Sequence, residues 1–425
     1  MSTTENAEPV AVVMAAGKST RMKSDLPKVL HPLCGQPLLA YVLKALDDAG
    51  VRRKVVVVGY KSELVRGQFA DWAGVEFVEQ TEQRGTGHAV MCAESALVSH
   101  RGPVAVIAGD MPLVRSEMIR QMLDRLVATN SAALLATAVV ADPFGLGRII
   151  RGADGEFLRI VEQRDATPEE ASLREINPSF YAFDGQTLFD ALKKVGSDNS
   201  QGEYYLTDVP AILRGSGKPV RAEILANEID AFGINDRRQL ATTHEFMQQR
   251  VQDKLMLDGV TIVDPRSTYI DARATIGRDT VVNPFSVIEG PCVIGSGCRI
   301  GPFAHLRENT QLADGVEVGA FVQTVRSSVG AGSIARHLAY LGDATVGEGV
   351  TIGAGVITAN FDGDVKSETK VDSGVFLGSG SVLIAPVRIG ENATVGAGAV
   401  VTKHHDVRPR ETVAGVPARP MKRSR

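Results

Sequence analysis

From Gly259 onward the chain is paced by aliphatic residues six apart. Ile276, Val282, Ile288, Ile294, Ile300, Leu306, Leu312 and Val318 each follow the last by six positions, with glycine next at Gly277, Gly295, Gly301 and Gly319. The pacing breaks near Val329, resumes at Ile334, Tyr340, Val346 and Ile352, and after a second interruption runs through Val371, Leu377, Leu383, Ile389, Val395 and Val401. A helix repeats every 3.6 residues and a strand every two, so neither element alone gives this period. A triangular prism does: each side is a short strand with one aliphatic side chain inward, and each corner is a turn. Stacked coils of that kind share one continuous core. The spacing predicts a parallel β-helix over residues 259–425.

Residues 1–235 read as a different kind of domain. Val10-Ala11-Val12-Val13, Val55-Val56-Val57-Val58 and Val104-Ala105-Val106-Ile107-Ala108 are apolar at successive positions, as strands buried on both faces are. Amphipathic stretches such as Leu38 to Ala49 and Ser116 to Ala128 alternate with them, which predicts a parallel-sheet, Rossmann-like α/β domain. Its ligands belong at the carboxyl ends of the strands. Residues 236–258 read as a linker helix with Leu240, Phe246, Val251 and Leu255 on its apolar side, stopped by Gly259. The net charge of -4 gives no basis for binding nucleic acid or a membrane surface, and no apolar run approaches a membrane span. The N-terminus lacks the layout of a signal peptide, and the four cysteines are scattered. Together they point to a reducing cytoplasm, without a disulfide framework or a cysteine metal site.

The candidate chemistry lies at the strand ends. Ala15, Ala16 and Gly17 follow the first strand, and such small residues let backbone N–H groups approach an anion; Lys18, Arg21 and Lys28 add positive charge. A second glycine-spaced turn, Gln80 to Ala89, offers an amide at Gln80 and backbone at Gly85 and Thr86 to a planar base. Asp110 ends another buried strand, where a carboxylate can hold Mg²⁺ between phosphate oxygens, and Asn235 can supply a second oxygen.

These turns, with Gly147-Arg148-Ile149, Val161-Glu162, Glu175-Ile176-Asn177 and Gln201 to Asp208, resemble sugar-phosphate nucleotidylyltransferases. With the hexapeptide repeats behind them, the chain resembles the bacterial bifunctional N-acetylglucosamine-1-phosphate uridylyltransferase / glucosamine-1-phosphate acetyltransferases over nearly its whole length. That resemblance implies a left-handed β-helix, a homotrimer with sites between subunits, and UTP, acetyl-CoA and Mg²⁺ as co-substrates and cofactor. It implies that Ala15, Ala16, Gly17, Lys28, Gln80, Gly85 and Thr86 hold the nucleotide, with Arg21 and Lys28 neutralising its phosphates. Gly147, Glu162 and Asn177 then bind the sugar, and Asp110 and Asn235 the metal. In the second half it implies His337 as general base, Arg307, Tyr340 and Lys366 on the sugar phosphate, and Ala354, Asn360, Ser379, Ala397 and Arg419, with Lys422 beyond, on acetyl-CoA.

The departures gather around His337. Val325 stands where the family carries a lysine on the sugar phosphate, with Arg326 one place on; Thr351 replaces an asparagine, and Phe361 the tyrosine of an Asn-Tyr-Asp-Gly loop. In the first half Ala108 stands where a tyrosine is frequent. Two further readings stand beside the bifunctional one: a uridylyltransferase whose β-helix trimerises, senses a ligand or serves another acceptor, and a nucleotidylyltransferase for a different sugar phosphate.

Overall fold

The computed structural model describes residues 8–421; the first seven residues, part of the stretch read for a signal, and the basic tail from Lys422 lie outside them. The chain divides into two compact units, one through Phe246 and one from Met247. The division falls inside the helix Arg237–Leu257.

The first unit is built on a nine-stranded sheet. Val10–Ala15 lies between Arg53–Val58 and Pro103–Ala108, parallel to both, and Val75–Glu79 extends the same run. These strands are apolar throughout because both faces are covered: Ala11, Val13, Val56 and Ile107 pack into one layer and Val10, Val12, Val55 and Val106 into the other. The sheet is mixed rather than all-parallel. Glu175–Asp184 runs antiparallel between Pro103–Ala108 and Ala133–Val139, with a register shift between Ile176 and Phe180. An apolar run carries no mark of strand direction, so the sequence could not have shown this reversal.

The second unit is a prism of three sheets with 10, 8 and 7 short strands, parallel throughout except for the antiparallel Arg419–Pro420 that ends the first. Val281 pairs with Arg299, eighteen residues on, and Arg299 with Glu317, so three six-residue sides make one coil. Val282, Ile288, Ile300 and Leu306 are fully buried along its axis. Gln248 and Gln252, in the second half of the long helix, cap the first coil: Gln252 Nε2 donates to the carbonyls of Thr268 (2.7 Å) and Pro265 (3.1 Å), and Gln248 bonds the Ile270 backbone at both its N–H and its carbonyl.

The inward positions depart from the six-residue pacing at Ile334 and Tyr340. Ile334 and Tyr340 are half-buried and face outward; Ala335 and Leu341, one place on, fill the core. Two sides are five residues long, Thr324 to Val329 and Leu341 to Val346, and two inward positions are threonines. Thr324 shares a hydroxyl–hydroxyl bond with Thr310 (2.9 Å), and Thr358 Oγ1 accepts from Gly342 N–H, so neither polar atom is stranded.

One edge of the prism carries Phe285, Phe303 and Phe321 at left-handed turn positions (φ 60°, 55° and 57°). Their rings stack in near-parallel pairs, with centroids 4.9 and 5.1 Å apart.

A continuous core of this kind has no spare contacts to absorb a cavity. Leu306→Ala is expected to lower unfolding free energy by about 2–5 kcal/mol, read by denaturant titration of the second unit. A loss below about 0.5 kcal/mol would place Leu306 outside the load-carrying core.

Candidate active sites

In the first unit the carboxyl ends of the parallel strands lie side by side. Gly109 N–H donates to Met14 O (2.8 Å), Tyr60 N–H to Ala16 O (3.2 Å) and Gln80 N–H to Val58 O (2.8 Å), so three turns are stitched edge to edge. Gln83 Nε2 also donates to Ala16 O (2.9 Å), which fixes the orientation of the Ala16–Gly17 peptide. A Cβ at Gly17 would meet no backbone, and the left-handed residues of this loop are Ser19 and Lys23. The glycine therefore keeps open space over the cradle; the turn itself is made by its neighbours.

The second turn needs its glycines differently. Gly85 has φ +103°, and a Cβ there would lie 2.6 Å from Tyr204 O. The backbones interlock, Gly87 N–H donating to Tyr204 O (2.8 Å), Tyr204 N–H to Arg84 O (2.9 Å) and Leu206 N–H to Thr86 Oγ1 (3.1 Å). Gln80 is buried, and its Nε2 contacts Gly85 O (3.1 Å) and His88 Nδ1 (3.0 Å). The atom it can offer a base is its carbonyl oxygen. Tyr204, which the motif reading did not assign, also carries Arg84 over its ring at 4.9 Å.

Asp110 and Asn235 converge. Ile234 N–H reaches Asp110 O (3.4 Å), tying their segments together, and Asp236 then opens the long helix by accepting from Arg238 and Gln239 N–H (both 2.9 Å). Lys28 forms an ion pair with Asp110 and lies 3.5 Å from Asn235 Oδ1, while Arg21 Nη2 donates to that same oxygen at 2.8 Å. Two hard oxygen donors thus point at one centre of positive charge, a donor set that suits Mg²⁺. Among the described residues no group of three or more His, Cys, Asp or Glu could hold a metal. A cation at Asp110 and Asn235 would therefore draw its remaining ligands from phosphate and water.

Gly147, Glu162 and Asn177, which the resemblance expects on the sugar, also meet. Gly147 pairs with Asn177, and a Cβ on Gly147 would lie 3.7 Å from both Asn177 Cβ and Glu162 Oε1. Asn177 is buried, donating to Tyr181 Oη (2.6 Å) and accepting from Ser179 N–H (3.3 Å). Burial pushes the Glu162 carboxyl up, against a Thr207 hydrogen bond that lowers it. Arg148 is 1% exposed and holds Leu146 O, Ala171 O (3.1 Å) and Gln163 Oε1 (2.7 Å), pinning the segments beside these residues. Thr207 lies in the Gln201 to Asp208 motif, which by itself assigns it no role, and Tyr181 lies in no motif; each shows its part only through the residue it touches.

In the second unit, His337 is exposed at a prism edge, pairing with Ala320 in a cleft of about 320 Å³ that Glu317 and Arg336 also line. Ala354, Ser379 and Ala397 continue that edge coil by coil: Gly355 N–H donates to Leu338 O, Gly380 to Ala354 O and Gly398 to Ser379 O, at 2.7–3.0 Å. Arg419 lies in the closing hairpin, paired with Ala414. The Tyr340 ring lies over Gly342, where any side chain would collide with it. Arg307 sits on the same sheet, 3.7 Å from both Glu289 and Glu308.

The departures have structural consequences. Val325 is 1% exposed and offers nothing to a ligand. Arg326 turns out at the next corner and grips Asp343 through Nε (2.6 Å) and Nη2 (2.9 Å), with Glu308 at 3.3 Å. That guanidinium first, and Asn360 with it, hold the Asp343 carboxyl below its ordinary range. The Asn360 amide is thus spent on Asp343, and Lys366 lines a cleft of about 480 Å³ with Arg326 and Asp343. The structure leaves His337 and Lys366 in separate clefts of this chain.

Raised by burial, Glu162 is destabilising once charged: its contribution is intact below about pH 4.5 and is lost as pH rises through its elevated value. Glu162→Gln is therefore expected to raise the melting temperature relative to the natural chain at pH 7 and not at pH 4. Equal shifts at both pH values would contradict the burial effect.

Residues 11–203 match the MobA-like NTP transferase domain family, and residues 273–307, 291–324 and 368–403 match the bacterial transferase hexapeptide repeat. The chain is 43% identical to "Bifunctional protein GlmU" of Geobacter metallireducens, with 94% of each chain covered. It is 43% identical to that of Streptococcus agalactiae, with 92% of each covered, and 42% to that of Shouchella clausii, with 92% and 93% covered.

Proposed function

The chain belongs to the bifunctional GlmU family, and on that footing we propose that it makes UDP-N-acetylglucosamine by two transfers, one in each unit. The observation that carries the reading is the convergence of Arg21, Lys28, Asp110 and Asn235 beside the Ala15–Gly17 and Gln80–Thr86 turns.

In the first unit, a phosphate oxygen of N-acetylglucosamine 1-phosphate attacks the α-phosphorus of UTP. The new P–O bond forms as the bond to the pyrophosphate oxygen breaks, and pyrophosphate leaves. The substrate brings an ionised nucleophile, so the protein's work is alignment and charge neutralisation. Ala15 to Gly17 cradle the phosphates, Gln80, Gly85 and Thr86 hold the uracil, and Arg21 and Lys28 offset charge on the phosphates. Gly147, Glu162 and Asn177 orient the sugar. Asp110 and Asn235 would hold Mg²⁺, which would supply further neutralisation of the triphosphate.

In the second unit, the amine of glucosamine 1-phosphate attacks the thioester carbonyl of acetyl-CoA and His337 takes the amine proton; the C–S bond then breaks and the CoA thiolate leaves, taking the proton back from the His337 imidazolium. Ala354, Ser379 and Ala397 line the edge along which CoA lies, with Arg419 toward its phosphates. Arg307, Tyr340 and Lys366 take the sugar phosphate, and three chains assemble so that neighbouring prisms complete each site. A second reading, a prism that only assembles or senses, is favoured by the buried Val325 and by Asn360 being held on Asp343.

Asp110→Ala is expected to abolish pyrophosphate release and leave thiol release from acetyl-CoA within about twofold, since the groups lie in separate units. His337→Ala should do the reverse, with a loss of roughly 10²–10⁴-fold in thiol release. Parallel loss of both activities in either folded variant contradicts the assignment, and unchanged thiol release in His337→Ala removes it as base.

A further inference from the structure

Lys28 and Arg21 read as phosphate ligands, yet both are drawn onto the two residues that read as metal ligands. The Lys28 ammonium pairs with Asp110 and lies 3.5 Å from Asn235 Oδ1, and Arg21 Nη2 donates to the same Asn235 oxygen at 2.8 Å. Asp110 and Lys28 are 19% and 14% exposed, so their charges are weakly screened by water. A divalent cation at that carboxylate would face an ammonium in direct contact with the oxygen it needs. It would also meet Asn235 Oδ1 already accepting a charge-assisted bond.

We propose that Lys28, assisted by Arg21, acts as an internal counter-ion that keeps divalent metal off Asp110 until a triphosphate arrives and takes both cations. The triphosphate is the group able to do this: it offers several anionic oxygens within reach of two side chains that would otherwise lose their partners. Metal and nucleotide then bind as a coupled pair, each raising the other's affinity by the same factor. Lys28 has two positions in this scheme, on Asp110 without nucleotide and on phosphate with it. Metal without nucleotide is disfavoured because it would leave an unpaired ammonium beside a dication. The inference rests on reading Asp110 and Asn235 as metal ligands.

The test is Mn²⁺ binding to the full chain without nucleotide, read by electron paramagnetic resonance, for the natural protein, Lys28→Met and Lys28→Met/Asp110→Ala. Methionine keeps the stem and removes the charge. Lys28→Met is expected to bind Mn²⁺ more tightly, within the about 5- to 150-fold span of coupled sites, and the added Asp110→Ala to erase the gain. Arg21→Met, an exposed substitution that leaves packing untouched, should shift affinity the same way by less. Tighter binding in neither single variant overturns the inference. A gain that survives Asp110→Ala overturns it together with the metal assignment. A companion titration with a non-hydrolysable UTP analogue separates the two failures: if Asp110→Ala weakens Mn²⁺ uptake there while Lys28→Met gains nothing without nucleotide, the metal ligands stand and the counter-ion role falls.

Discussion

Parallel main-chain pairing in a fixed register is the constraint on which both halves depend. In the first unit Met14 pairs with Val57 on one side and Ala108 on the other, so the turns after those strands must open on the same edge. A one-residue slip would exchange the two faces of a strand, and apolar residues on both faces leave that register to be set by packing on either side. In the second unit the same kind of pairing repeats every coil, and a residue placed at a turn recurs above itself. The strand ends are positioned by this pairing, and candidate residues beyond them, such as Arg21, Lys28 and Asn235, are joined by side-chain contacts.

The two units use this constraint for different chemistry. Strand ends in the α/β sheet gather loops from distant parts of the sequence, which suits a large polyanion needing cations, an amide and a carboxylate at once. The prism edge offers a line of turns at a constant spacing of about 4.8 Å, which suits an extended cofactor lying along it. Charge is also handled differently. Around Asp110, Lys28 stands against the acid it offsets, and Arg21 rests on the neutral amide oxygen of Asn235 beside it. Around Asp343 the pairing is internal and tight, and Arg326 and Asn360 are committed to the fold.

Much of this was legible in the sequence because it follows from period and spacing. The prism showed wherever its inward residue is a large aliphatic, as from Ile276 to Val318. It was lost where Thr324, Ala335 and Thr358 fill the core, because a threonine or alanine at a buried position looks like a surface residue, and Ile334 and Tyr340 beside them drew the count one place out. The turn at Gly17 and the acid at Asp110 showed because each follows or ends an apolar strand, and the turn at Gly85 because its residues are polar and glycine-spaced. What did not show is reciprocal: the Lys28–Asp110 pair, the Asn177–Tyr181 bond and the Arg326–Asp343 clasp each join residues whose separation the one-dimensional text leaves unspecified. The direction of Glu175–Asp184 was hidden for the same reason, since pairing sense is a property of neighbours.

One chain of this family carries both transfers in sequence. The direct measurement is to supply the purified protein with isotopically labelled glucosamine 1-phosphate, acetyl-CoA, UTP and Mg²⁺, and to identify the labelled nucleotide sugar by mass. UDP-N-acetylglucosamine is expected, with one thiol and one pyrophosphate released for each molecule formed. Formation of UDP-N-acetylglucosamine only when N-acetylglucosamine 1-phosphate is supplied ready-made would contradict it.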